Sequence, residues 1–107
     1  MNKTLAEQND DFRVRGIGEG RIVLTDGVIH RPLWTISAIL TEVVNFNRFN
    51  VDNDPYGEHD FGTFVIDGHS IFWKIDCYDN DMAFGSPDPC DPSVTTRVLT
   101  IMLAEEY

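Results

Sequence analysis

Residues 61–78 read FGTFVIDGHSIFWKIDCY, and no other stretch narrows the fold as far. Asp67-Gly68 is a two-residue hairpin signal set between two apolar runs. In the second run Ile71, Trp73, Ile75 and Cys77 alternate with Phe72, Lys74, Asp76 and Tyr78. Period two predicts a strand with one face on a core and the other at least partly wet. Two aromatics beside two charges on the wet face suit a covered sheet or a recognition surface.

The flanking segments predict helices and one more strand. Thr4 and Glu7 have capping-box spacing, and Leu5, Gln8 and Phe12 roughly share a face, so a first helix starts there. GIGEG, residues 16–20, breaks it. Its glycines resemble a phosphate-binding fingerprint, but that motif needs a strand before the glycines and a helix after them. Here RIVLT, a strand pattern, follows, and a plain helix-to-strand connection is expected. Asp26-Gly27 reads as a turn. Pro32 suits the first turn of a helix in which Leu33, Ile36, Leu40, Val43 and Val44 form a core stripe flanked by Trp34 as a packing residue. Asp91-Pro92 has the form of an N-cap and first helical residue, predicting that SVTTRVLTIMLAEEY is a helix with Val94, Val98, Ile101 and Met102 inward. The expected order is α-β-α-β-β-α. This is a single α+β domain over residues 1–107, a small antiparallel sheet of about three strands packed with helices.

A chain of 107 residues with 42% apolar content sustains one core. No apolar run approaches the ~18 residues of a membrane span, and MNKTLAEQNDDF lacks the pattern of a secretory signal. A cytoplasmic location is therefore expected. Cys77 and Cys90 match neither a redox pair nor zinc-ligand spacing and read as free thiols, with Cys77 a small apolar filler.

The net charge of −10 is concentrated. Between Phe49 and Pro92 stand ten acids and one base, Lys74, while the rest of the chain is nearly balanced with eight acids and seven bases. Such a surface disfavours direct contact with nucleic acid or an anionic membrane, because phosphate contacts need lysine and arginine. A basic partner is its complement.

NDPYGEHDFG, residues 53–62, concentrates the question. Read as a calcium loop from Asp52, it puts Tyr56 at position five and Thr63 at position twelve, where oxygen ligands and a bidentate glutamate belong. A zinc or manganese site could use His59 with Glu58, Asp60 or a carboxylate of the second loop, but Glu58, His59 and Asp60 alternate sides in an extended chain and converge only if the turn curls. No metal or cofactor is expected. A cysteine–histidine nucleophile is disfavoured by surrounding negative charge that raises the thiol pKa, and there is no GxSxG elbow or phosphate loop. No catalytic residue is assigned; the enzymatic alternative is a small metal-dependent hydrolase centred on the Glu58-His59-Asp60 loop. The bland alternative is a helix-to-strand loop shaped by Asp54-Pro55 and Gly57. Arg97 would then pair with a loop carboxylate and pin the loop to the last helix.

Turn-making needs fewer acids than this segment carries. Duplex DNA presents one charge per ~1.7 Å of axis, and carboxylates a few ångströms apart on a scaffold imitate part of that array. Within a Debye length of about 8 Å they act together. The expected partner-binding residues are Asp52, Asp54, Glu58, Asp60, Asp79, Asp81 and Asp88, with Tyr56, Phe72 and Tyr78 as apolar anchors. The expected partner is a basic nucleic-acid-binding protein or complex. The half-wet sheet face also suits a homodimer.

From about Asn45 to Tyr107 the chain resembles an uncharacterised alphaproteobacterial family of small acidic proteins. NDPYGEHDFG, FWKIDCYD (Phe72 to Asp79), GSPDPCDP (Gly85 to Pro92) and TRVLTIMLAEEY (Thr96 to Tyr107) carry the likeness. Cys77 stands where that family usually has tyrosine and Cys90 where it has alanine, which weakens a catalytic role for either thiol. Members resemble genes of plasmids and prophages that lie beside anti-defence genes. The resemblance therefore implies a non-enzymatic inhibitor of anti-CRISPR or anti-restriction type, its partner a CRISPR effector or restriction enzyme whose DNA binding it blocks.

Overall fold

A computed structural model describes residues 3–107. Its elements are α1 (Leu5–Arg15), β1 (Gly20–Leu24), α2 (Asp26–Ile29), α3 (Leu33–Asn45), β2 (Phe61–Ile66), β3 (His69–Tyr78) and β4 (Thr96–Leu103), with 3-10 turns at Pro92–Val94 and Ala104–Glu106. The class is α+β, as the sequence predicts, but the sheet has four strands in the order β1-β4-β3-β2 and is mixed. β2, β3 and β4 are antiparallel neighbours, whereas β1 runs parallel to β4 at the edge. Among the described residues no helix is long and apolar enough to cross a membrane.

Local chemistry explains the accurate expectations. Thr4 and Glu7 exchange side chain-to-backbone hydrogen bonds at 3.1 and 3.0 Å and start α1. Asp67 and Gly68 both take positive φ, 50° and 77°, the geometry of the tight hairpin turn joining β2 to β3. Ile71, Trp73 and Ile75 are buried beside Leu99, Ile101 and Leu103 of β4, and Ile39, Val43 and Phe46 close over them from the helix side. Gly62 is required on β2, because a Cβ there would lie 2.4 Å from Trp73 Nε1.

Three expectations are corrected. The final segment is the inner strand β4, not a helix. Val94, Val98, Ile101 and Met102 also fit helical spacing, but β4 is largely buried on both faces and shows no apolar–polar alternation, the ambiguity inherent in short buried strands. Asp91 does accept from Ser93 N at 2.9 Å, yet it starts only a single 3-10 turn. Asp26-Gly27 opens the short helix α2 rather than a simple turn. In α3 the inward residues are Thr35, Ile39 and Val43. Leu33 is 82% exposed and Trp34 75%, and Leu40 and Val44 are also exposed, so Trp34 does not pack within the chain. α3 is apolar nearly all round, and its sequence alone left the inward face undetermined.

Candidate functional site

Two long connections, residues 46–60 and 79–95, meet the same end of the sheet: the start of β2, the end of β3 and the start of β4 are paired there. α1 ties both connections down. Asn9, fully buried, donates from Nδ2 to Glu58 O at 2.9 Å and accepts from Arg97 Nε at 2.8 Å. Gln8 Nε2 donates to Cys90 O at 2.6 Å. Arg97 is itself buried and gives its other hydrogen bond to Pro89 O at 2.9 Å. It pins the second connection through a carbonyl, not through a carboxylate as the sequence reading had it.

The first connection is held by charge. Asp10 accepts from Arg13 Nη2 at 3.0 Å and from His59 Nδ1 at 2.9 Å. The Arg13 guanidinium, buried, also donates to Val43 O at 2.6 Å and lies 4.8 Å from the Trp73 ring centroid and 5.6 Å from that of Phe49. His59 stacks on Phe49 with centroids 3.9 Å apart. Its φ of 54° is left-handed, costly for a residue with a Cβ, and turns its ring towards α1.

That twist separates His59 from its neighbours. Glu58 and Asp60 lie near each other instead. Burial pushes both carboxyls above their ordinary range; for Glu58 the nearby charges of Asp60 and Asp54 add to the effect, and for Asp60 those of Asp54 and Asp76 do. Burial likewise pushes the Cys77 thiol up and disfavours the thiolate, an effect that the charge of Arg97 partly offsets. Both cysteines are free. Among the described residues no group of three or more His, Cys, Asp or Glu is arranged to hold a metal ion.

The acids of the two connections divide by role. Asp54 is 8% exposed and its carboxylate accepts from Glu58 N and His59 N at 2.8 and 3.2 Å, so it builds the loop from inside. Asp79 accepts from Ala83 N and Asp88 from Cys90 N, each while its residue keeps contact with solvent. Asp52 and Asp81 are exposed and make no side-chain hydrogen bond to the described residues. None of Asp52, Glu58, Asp60, Asp79, Asp81 and Asp88 has a Lys, Arg or His within ion-pair distance among the described residues, whereas Asp10, Asp11, Glu42, Asp54 and Asp76 do.

The anchors lie apart from one another. Tyr56 is 85% exposed at the tip of the first connection. Phe72 and Tyr78 are on the sheet face away from the helices. Phe72 meets Phe61 and Tyr107 edge-on at 5.2 and 5.6 Å, an aromatic row that the sequence reading missed. Its signal was present in the alternation of β2, but Tyr107 joins it only because the chain turns back after β4. Phe84, 76% exposed in the second connection, was also missed.

No curated protein and no solved structure matches the chain. The family model described as a protein of unknown function, DUF3768, matches residues 24–106, and the chain belongs to that family.

Proposed function

We propose that this protein is a non-enzymatic acidic inhibitor that docks on a basic nucleic-acid-handling complex and blocks its DNA binding. The observation that carries the reading is the set of carboxylates without cationic partners, Asp52, Glu58, Asp60, Asp79, Asp81 and Asp88, on two connections at one end of the sheet. Arginines that could neutralise them, Arg13 and Arg97, are instead buried and committed to backbone carbonyls, Asn9 and Asp10. Folding of the loops accounts for Asp54, and partly for Asp79 and Asp88; it does not account for Asp52 or Asp81.

A charge surplus of this kind weakens the folded state by self-repulsion and gains from a cationic partner through counterion release. Tyr56 and Phe84 stand exposed within the charged connections as apolar anchors. The likeness of the chain to genes of plasmids and prophages points to a defence complex, a CRISPR effector or a restriction enzyme, as the partner class.

The test is direct. Purified CRISPR and restriction complexes from a host of such elements are titrated with the protein while DNA binding is followed, at several salt concentrations. Inhibition should fall steeply as salt rises, and a variant carrying Asp52→Asn, Glu58→Gln, Asp60→Asn and Asp81→Asn should fold and not inhibit. Inhibition indifferent to both changes, or none of any complex, overturns the reading.

A further inference from the structure

We infer that the cavity between α1 and the second connection is a binding site for a short organic carboxylate, whose head group meets Arg97. The cavity measures about 270 Å³, and its lining includes Lys3, Asp11, Ile17, Cys90, Pro92 and Arg97. Sites for drug-sized molecules run to about 300–1,000 Å³, so the occupant here is small.

The contrast between the two buried arginines points to an anion. Arg13 is 5% exposed and has a carboxylate, Asp10, at 3.0 Å. Arg97 is 3% exposed and has no carboxylate within ion-pair distance among the described residues. Its Nε and Nη2 donate to two neutral oxygens, Asn9 Oδ1 and Pro89 O. Among the described residues Nη1 is neither hydrogen-bonded nor sealed from solvent, and the cavity is the space that Arg97 lines. A guanidinium keeps its charge at any physiological pH, and a buried charge is costly unless it is paired. An anion in the cavity supplies the missing counter-charge and an acceptor for Nη1.

The surroundings select a single charge with an apolar body. The lining residues carry two cations, Lys3 and Arg97, against one acid, Asp11, a balance of +1 in a chain of net charge −10. Asp11 is itself held by Lys3 and by Arg15, the latter at 2.6 Å. The neighbouring acids Asp88 and Asp91 accept from Cys90 N and Ser93 N at 3.1 and 2.9 Å. A phosphate dianion exceeds the local positive charge and meets the repulsion of the whole chain. A carboxylate matches that charge, and its two oxygens suit a guanidinium. Ile17, 56% exposed, offers with Pro92 and Cys90 an apolar wall that a hydrocarbon body would cover.

Titration of the full chain with hexanoate, followed by heteronuclear NMR, tests this. Saturable shifts are expected at the amides of Ile17 and Cys90 and at the Arg97 side chain. Hexanol and inorganic phosphate should each bind at least about tenfold more weakly, the loss expected for one charge-assisted hydrogen bond. Ile17→Glu, at a half-exposed position, should keep the circular dichroism spectrum and abolish the shifts. Cys90 gives a second reading in the unmodified chain. Iodoacetate, itself a carboxylate, should alkylate Cys90 faster than iodoacetamide does, each rate taken relative to free cysteine, and hexanoate should slow it. On a surface thiol of so acidic a chain the order would be reversed. Shifts that never saturate, hexanol or phosphate binding as tightly as hexanoate, or an iodoacetate preference no greater than that of free cysteine overturns the inference. The inhibitor reading is untouched by such a failure, since none of its carboxylates lines the cavity.

Discussion

Asp10 on α1 and His59 in the first acidic connection meet at 2.9 Å across a separation of 49 residues. The same carboxylate holds Arg13, whose guanidinium reaches Val43 O, so the two side chains together join α1, the end of α3 and the loop. Replacing Asp10 by Ala leaves the buried guanidinium without its carboxylate and His59 without its acceptor. The expected loss is about 1–3 kcal/mol in urea denaturation, together with faster amide exchange across residues 50–60. A loss confined to global stability, with no change in loop exchange, would show that His59 does not latch the loop.

Glu58 and Asp60 give a pH signature. Burial raises both carboxyls in the folded protein, so the folded state binds protons more tightly than the unfolded chain. Their contribution therefore favours folding as pH falls from neutrality through the raised values, and the gain is complete below the unfolded values. Asp11, lowered chiefly by its hydrogen bond with Lys3, and Glu106, lowered chiefly by Thr25, act in the opposite sense and lose their stabilisation at still lower pH. Asp60→Asn should raise the thermal midpoint at pH 7 relative to wild type, with the difference shrinking towards pH 4. An equal difference at both values would contradict a raised folded-state pKa.

The hairpin was readable because turn chemistry, strand period and cross-strand burial agree over residues 61–78. β4 was not, because a strand largely buried on both faces loses its alternation, and TRVLTIML fits a helix as well as a strand. α3 shows the same limit on another level: its helicity was legible, but its inward face depends on partners that sequence does not specify. At the site, the concentration of acids was visible in composition. Which of them serve the fold was not, since the buried role of Asp54 depends on the backbone path of Glu58 and His59. Arg13 and Arg97 were equally hidden, because burial of an arginine depends on distant carbonyls and aromatic rings.

Gly62 offers a sharp test of the packing beneath the site. A methyl group there would press on Trp73, which is fully buried, and on Phe46. Gly62→Ala is expected to destabilise by about 1–3 kcal/mol through overpacking, visible as a lower urea midpoint and an altered tryptophan emission spectrum. Gly57→Ala provides the contrast: nothing lies within 4 Å of its Cβ position, and its cost comes only from a φ of 64°. A Gly62→Ala variant as stable as wild type would mean that the Trp73 ring can shift without penalty.

The division of the acids into structural and presented groups leads to the last prediction. Asp54 is enclosed and accepts two backbone hydrogen bonds, so Asp54→Ala strands two amide donors in a partly buried loop. A cost of about 1–3 kcal/mol is expected. Asp52 and Asp81 face solvent without side-chain hydrogen bonds to the described residues, and Asp52→Asn or Asp81→Asn should change stability by no more than about 0.5 kcal/mol. Any change should be a gain, because each removes one negative charge from a surplus that repels itself. Chemical denaturation at low salt, where the repulsion is least screened, separates the two classes. If Asp52→Asn or Asp81→Asn destabilises as much as Asp54→Ala, these acids are parts of the fold, and no surplus is left for a basic partner to meet.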